Sequence, residues 1–166
     1  ISEYATTSIT NQYSRFGSVY SHLTSQADFP PRLVVWGHQA ASLPDHDISY
    51  EMTSQWNCVA CDGAFDTRIG KATGTLNLIL DSQEATLNLA GDGLALYAPL
   101  LINNHVAFRP NGDMQLMLDD VNQQLDRQFV SGTLFEADAS EAGLMIGLET
   151  DQGALFSIMA LGSESD

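Results

Sequence analysis

The chain has 166 residues, which suits one domain; at that length folding removes about two thirds of the extended-chain surface from water, enough for one hydrophobic core. Its 44% apolar and 16% charged residues exclude a disordered polyelectrolyte. Against 21 acidic residues stand only 6 basic ones, with Lys71 the only lysine, which excludes nucleic acid and anionic membrane surfaces, since both demand clustered Lys and Arg.

The acidity suits an exported protein kept soluble in a salty medium, or else a basic partner or bound divalent cations. No apolar run approaches the roughly 18 residues that span a bilayer, so membrane insertion of this domain is not expected. The chain opens at Ile1 without the basic and apolar regions of a signal peptide, and we expect a piece of a longer exported protein. Cys58 and Cys61 form one C-V-A-C unit. A local disulfide, a pair of free thiols, and a metal or redox role all remain open, although Asp62 stands where a haem-attachment motif needs histidine and no second ligand pair completes a zinc site. The disulfide reading implies an oxidising compartment.

In chain order, Phe16, Val19, Tyr20 and Leu23 recur at helical spacing and predict a short amphipathic helix from Ser14 to Gln26, packed as a lid and closed by Pro30-Pro31. From Arg32 the period becomes 2, the signature of strands with one buried face. Strands are expected at Leu33 to Gln39, Ile48 to Trp56, Lys71 to Leu80, Ala85 to Ala90, Leu94 to Ile102, Val106 to Arg109, Met114 to Leu118, Gln128 to Glu136, Leu144 to Glu149 and Ala154 to Leu161. Asp81 to Glu84 is expected to turn a hairpin with Leu76, Leu78, Leu80, Leu87 and Leu89 on one face and Thr75, Asn77, Thr86 and Asn88 on the other. Asn111-Gly112 predicts a second hairpin, because a type I′ turn needs positive φ at both central positions, and Asp151-Gln152-Gly153 predicts a third. Short strands without alternating helices give an all-β fold, an antiparallel barrel or sandwich rather than a parallel α/β sheet, and of these we expect a closed barrel of about eight strands with a short N-terminal helix. The expected organisation is an N-terminal helical or extended segment over 1–31, the barrel over 32–162, and a disordered acidic tail over 163–166.

The stretch from Val130 to Leu148, with Gly132, Ala139, Glu141 and Gly143, followed by Gly153-Ala-Leu-Phe-Ser157, resembles the last strands of the lipoprotein-type barrels of transferrin-binding and factor H-binding surface proteins. Their pattern is G-x-φ-φ-G-x-x-A-x-E-x-G-G-x-φ, φ being apolar; here Glu136 stands where glycine is common and Leu144 replaces the second glycine of the pair. Val35-Trp36-Gly37-His38 is similar to a strand preceding such barrels at the end of exported proteins with FecR-like domains. The resemblance implies a binding or display module on the cell surface, secreted or in the periplasm, and supplies no catalytic residues.

Chemistry is otherwise sparse. There is no G-x-S-x-G, no H-E-x-x-H and no phosphate loop, Gly91-Asp92-Gly93 reading as a bend. Asp119 and Asp120 read as a solvated turn rather than an acid-base pair. Calcium would draw on Asp45 with Asp47, or on Asp119, Asp120 and Asp126, neither matching an EF-hand loop. Haem carriage would draw on His22, His38, His46 or His105, and His22 beside Leu23 is the first choice of axial ligand. The expectation is a non-enzymatic module contacting a protein partner or its own parent chain through loops and the N-terminal segment, with a small-ligand barrel carrying haem or a lipid as the alternative.

Overall fold

The computed structural model describes residues 39–63 and 66–165 in full, and residues 3–10, 14–21 and 32–37 by their backbone. Glu3–Thr10 (β1), Ser14–Ser21 (β2) and Arg32–Gly37 (β3) form an antiparallel sheet of their own in the order β1-β2-β3. The helix expected over 14–26 is therefore corrected over Ser14–Ser21, which is strand; residues 22–26 lie outside the described residues. The apolar residues of this segment, Phe16, Val19 and Tyr20, are β-branched or aromatic, and Gly17 disfavours helix, so strand pairing with two neighbours outweighs the helical spacing.

The rest is one antiparallel sheet, as the period-2 pattern predicts: Ile48–Val59 (β4), Thr67–Ile79 (β5), Glu84–Gly91 (β6), Leu94–Ile102 (β7), Phe108–Pro110 (β8), Gln115–Leu118 (β9), Val121–Gln123 (β10), Leu125–Phe135 (β11), Glu141–Thr150 (β12) and Leu155–Glu164 (β13). Neighbours run β10-β9-β7-β6-β5-β4-β13-β12-β11, with β8 also on β7. The first and last strands of the chain's main body, β4 and β13, pair along their length, from Val59 opposite Leu155 to Tyr50 opposite Glu164. β13 thus reaches into the stretch expected as a tail, and Ser165 N donates to Ser49 O.

The predicted β5–β6 hairpin is present, with Leu76 opposite Leu87, and Leu76, Leu78, Leu87 and Leu89 all buried. The Asn111-Gly112 hairpin is not. β8 and β9 do not pair with each other; both run antiparallel to β7, β8 beside Leu100 to Ile102 and β9 beside Leu94 to Tyr97. They are one strand broken by a bulge at 111–114, which sits where β7 presents Pro99. Proline cannot donate to the ladder, so the partner strand must loosen there, and only Pro99 O is used, by Asn111 N at 2.9 Å.

That broken strand also closes the barrel against β11. Ala107 bridges to Thr133, whose Oγ1 donates to Val106 O at 2.9 Å. Farther along, the Gln128 side chain takes the place of a ladder: its Oε1 accepts from Met114 N at 2.9 Å, and its Nε2 donates to Gly112 O at 2.7 Å. Counting β8 with β9 as one, β4, β5, β6, β7, β8/β9, β11, β12 and β13 make eight staves of a nearly closed barrel. Near closure leaves little open strand edge for aggregation.

Candidate binding surface

Strand alternation sends Tyr50, Met52, Trp56, Leu76, Leu87, Leu100, Leu116 and Phe156 inward, where each is fully or almost fully buried. The barrel is thus filled by its own side chains. Tyr50 Oη donates to Ala139 O at 2.7 Å inside this core, and burial drives the Tyr50 hydroxyl far above its ordinary pKa, so it stays protonated and donating. At one end Trp56 closes the core: its ring lies 6.4 Å from that of Phe156, and the Arg68 guanidinium sits 5.4 Å from the Trp56 ring centre. Arg68 is held there by a bidentate pair with Asp119, at 2.6 and 2.8 Å, and by a bond to Asp92 O at 2.9 Å. The hydrogen bonds from Arg68 keep the Asp119 carboxyl below its usual range.

The acidic and histidine candidates resolve into local structural roles. Asp119 serves Arg68, and with Asp120 it forms the β9–β10 turn, both at positive φ. Asp47 Oδ1 accepts from Leu80 N at 2.8 Å, and Asp45 faces its neighbour His46. His46 joins the 42–47 loop to the end of β13, with Nδ1 2.6 Å from Asp45 Oδ1 and Nε2 3.2 Å from Glu164 Oε1. Those two carboxylates raise the His46 pKa. Asp126 is exposed on β11, and His105 has its backbone oxygen bonded by Gln39 at 3.3 Å. Among the described residues no group of His, Cys, Asp and Glu gathers to hold a metal. His22 and His38 lie outside the described residues. Cys58 and Cys61 bring their sulfur atoms into contact, with Cα atoms 5.9 Å apart, at the end of the barrel that Trp56 closes.

The outer wall carries what alternation alone leaves in water. Phe129 (β11), Gly147 (β12), Ser157 (β13), Asn57 (β4) and Ile69 (β5) stand opposite one another in a single cross-strand row, and Leu155 faces Val59 in the next. Phe129 and Ile69 are 60% and 63% exposed, Leu155 and Val59 49% and 42%. This apolar stripe runs beside the 60–66 loop and the 151–153 turn. It escapes a period-2 reading because attention goes to the buried partner of each pair; Cys58-Val59, Phe129-Val130 and Leu155-Phe156 are adjacent apolar pairs, and one of each pair must face outward. The charged flank is supplied by Arg127, 3.7 Å from Glu149.

On the opposite wall, β5, β6, β7 and β9 present Thr75, Asn88, Tyr97 and Gln115 in one row. The next row holds Thr73, Ala90, Ala95, Met117 and Asn122. The alanines leave a groove of about 410 Å³ between these rows.

No protein-family model matches the chain, and no curated protein does. Solved structures do match over 98% of the chain: a surface lipoprotein, at a TM-score of 0.60 and 11% identity over 81% of that structure; transferrin-binding protein B of Actinobacillus pleuropneumoniae H49, at 0.62 and 12% over 81%; and transferrin-binding protein B of Haemophilus parasuis Hp5, at 0.65 and 14% over 34%. The fold is the surface-lipoprotein barrel. The chain spans about a third of the Haemophilus structure's length. Within this barrel the resembling residues have visible work: Gly132 lies against Gly143 O and Leu144, leaving no room for a side chain, and Ala139 supplies the oxygen that Tyr50 bonds. Glu136, at the position where glycine is common, adopts a φ of 69°. No helix among the described residues is long and apolar enough to cross a membrane.

Proposed function

We propose that this chain is a non-enzymatic binding module of an exported, extracytoplasmic bacterial protein, and that it contacts a protein partner, or another part of its own parent chain, through one end of the barrel. The observation that carries this reading is the stripe of Phe129, Ile69, Leu155 and Val59, exposed beside the 60–66 and 151–153 loops on a barrel whose interior is full. Large apolar side chains grouped on an otherwise strongly acidic surface mark a contact site. A disulfide between Cys58 and Cys61 tethers the start of the first of these loops to β4.

The filled interior also weighs against the carrier reading, since a haem or lipid enclosed by the barrel needs the space that Trp56, Tyr50, Met52 and Phe156 occupy. The likeness to transferrin-binding proteins supports binding over catalysis by analogy of fold.

A photo-cross-linking residue at position 129 or 152, in the producing bacterium or with the purified chain among candidate extracellular proteins, should yield one discrete adduct. The protein recovered, or the parent segment, should then bind the purified chain saturably, and Phe129→Asp with Ile69→Asp should weaken that binding at least about tenfold. A saturable Soret shift on adding haemin, lost in His22→Ala, with no protein adduct, would replace this reading with the haem carrier.

A further inference from the structure

The groove on the far wall of the barrel differs in chemistry from the rest of the molecule. In a chain of net charge −15, no charged side chain lines it. Its rim carries the amides of Asn88, Gln115 and Asn122 and the hydroxyl of Thr75, and none of these side chains is spent on a hydrogen bond within the described residues. Tyr97 stands in the middle of the row, 40% exposed, with Asn88 opposite it on one side and Gln115 on the other. Gln115 and Asn122 also line a second, polar cleft of about 310 Å³ along the barrel seam, to which Asp113, Asp126 and Arg127 add charge.

Each feature restricts the ligand. The absence of cations excludes phosphates and carboxylates, and the absence of carboxylates excludes metal ions and amines. A wholly apolar ligand would bury several amides without partners, at a cost that its small contact area does not offset. An amide offers a donor pair and an acceptor within a few ångströms, which matches adjacent hydroxyls that both give and receive hydrogen bonds. The Tyr97 ring offers one flat apolar face, suited to a ligand that is polar at its edge and C–H-lined on its face. From this combination we infer that the Tyr97 groove is a binding site for a neutral saccharide, one ring stacked on Tyr97 and its hydroxyls bonded by Asn88, Gln115 and Asn122. The groove volume suits a short oligosaccharide rather than a polymer buried along its length. The site is separate from the Phe129 stripe, and the inference does not rest on the protein-contact reading above.

The test is an array of neutral oligosaccharides ending in glucose, galactose, mannose or N-acetylglucosamine, probed with the purified full chain and followed by calorimetric titration of the sugars retained. At least one should bind saturably. Tyr97→Ala should weaken it roughly tenfold or more, Tyr97→Phe should keep most of the affinity because the ring remains, and Asn122→Ala should weaken it by a smaller factor. Ser82→Ala, in the β5–β6 turn, should leave binding as it was. Tyr97 faces outward and its side chain makes no hydrogen bond among the described residues, so unchanged thermal unfolding of Tyr97→Ala separates lost binding from lost fold. The inference is overturned if no neutral sugar binds at millimolar concentration, if Tyr97→Ala binds as tightly as the parent chain, or if the groove substitutions abolish only the binding of a protein.

Discussion

Trp56 is the largest fully buried side chain among the described residues, and it closes one end of the barrel under Arg68. Its replacement by alanine removes the ring from both Phe156 and the guanidinium, and should cost about 3–5 kcal/mol, read as a fall in the urea midpoint at unchanged slope. His46 sets a different dependence. Held between Asp45 and Glu164, it has a pKa above the ordinary 6.5, so the unfolded chain releases its proton at lower pH than the folded one. The stability it contributes is therefore complete below about pH 6.5 and is lost as pH rises through the raised folded value. Proton chemical shifts of the His46 ring should titrate above the unfolded histidine, and Glu164→Gln should move the midpoint down. A His46 midpoint at or below the unfolded value would remove the link between the 42–47 loop and β13.

The β11–β12 hairpin holds the residues on which the family resemblance rests, and its geometry explains them. β11 passes β12 with Gly132 opposite Leu144, and a Cβ there would press on Gly143 O and meet Leu144 Cδ2 at 2.6 Å. Gly132→Ala should destabilise the protein by about 1–3 kcal/mol through that forced separation, with the loss visible in thermal unfolding. At the far end of β4, the cysteine pair is best judged chemically. Denatured without reductant, the protein should take up no iodoacetamide, and after reduction it should take up label on both Cys58 and Cys61. Labelling without reduction would make them free thiols and leave the 60–66 loop untethered.

Over the whole molecule, 21 acidic residues against 6 basic ones make the compact state repel itself. Raising NaCl from about 20 mM to about 300 mM shortens the reach of that repulsion and should raise the melting temperature by about 2–4 °C. A fall with salt would show instead that close pairs such as Arg68 with Asp119 dominate the electrostatics. The same charge makes the neutral Tyr97 groove and the apolar Phe129 stripe stand out, one on each side of the barrel.

Period-2 alternation, turn residues and the lack of helix signals after Arg32 were enough to specify an antiparallel barrel or sandwich, because every strand must bury one face, and the resemblance over Val130 to Leu148 pointed to the barrel. The buried leucines of β5 and β6, the 151–153 turn and the Gly132 to Gly143 hairpin were legible for that reason. Local sequence misled at Asn111-Gly112, where Pro99 on a neighbouring strand determines that the chain bulges rather than turns, and at Ser14–Ser21, where pairing with β1 and β3 outweighs helical spacing. Both surfaces lay beyond the sequence as well. Phe129, Ile69, Leu155 and Val59 come from four strands, as do Thr75, Asn88, Tyr97 and Gln115, and only cross-strand register puts each set in neighbouring rows. Alternation tells which face a residue takes; which residues become neighbours on that face is decided by how the strands pair.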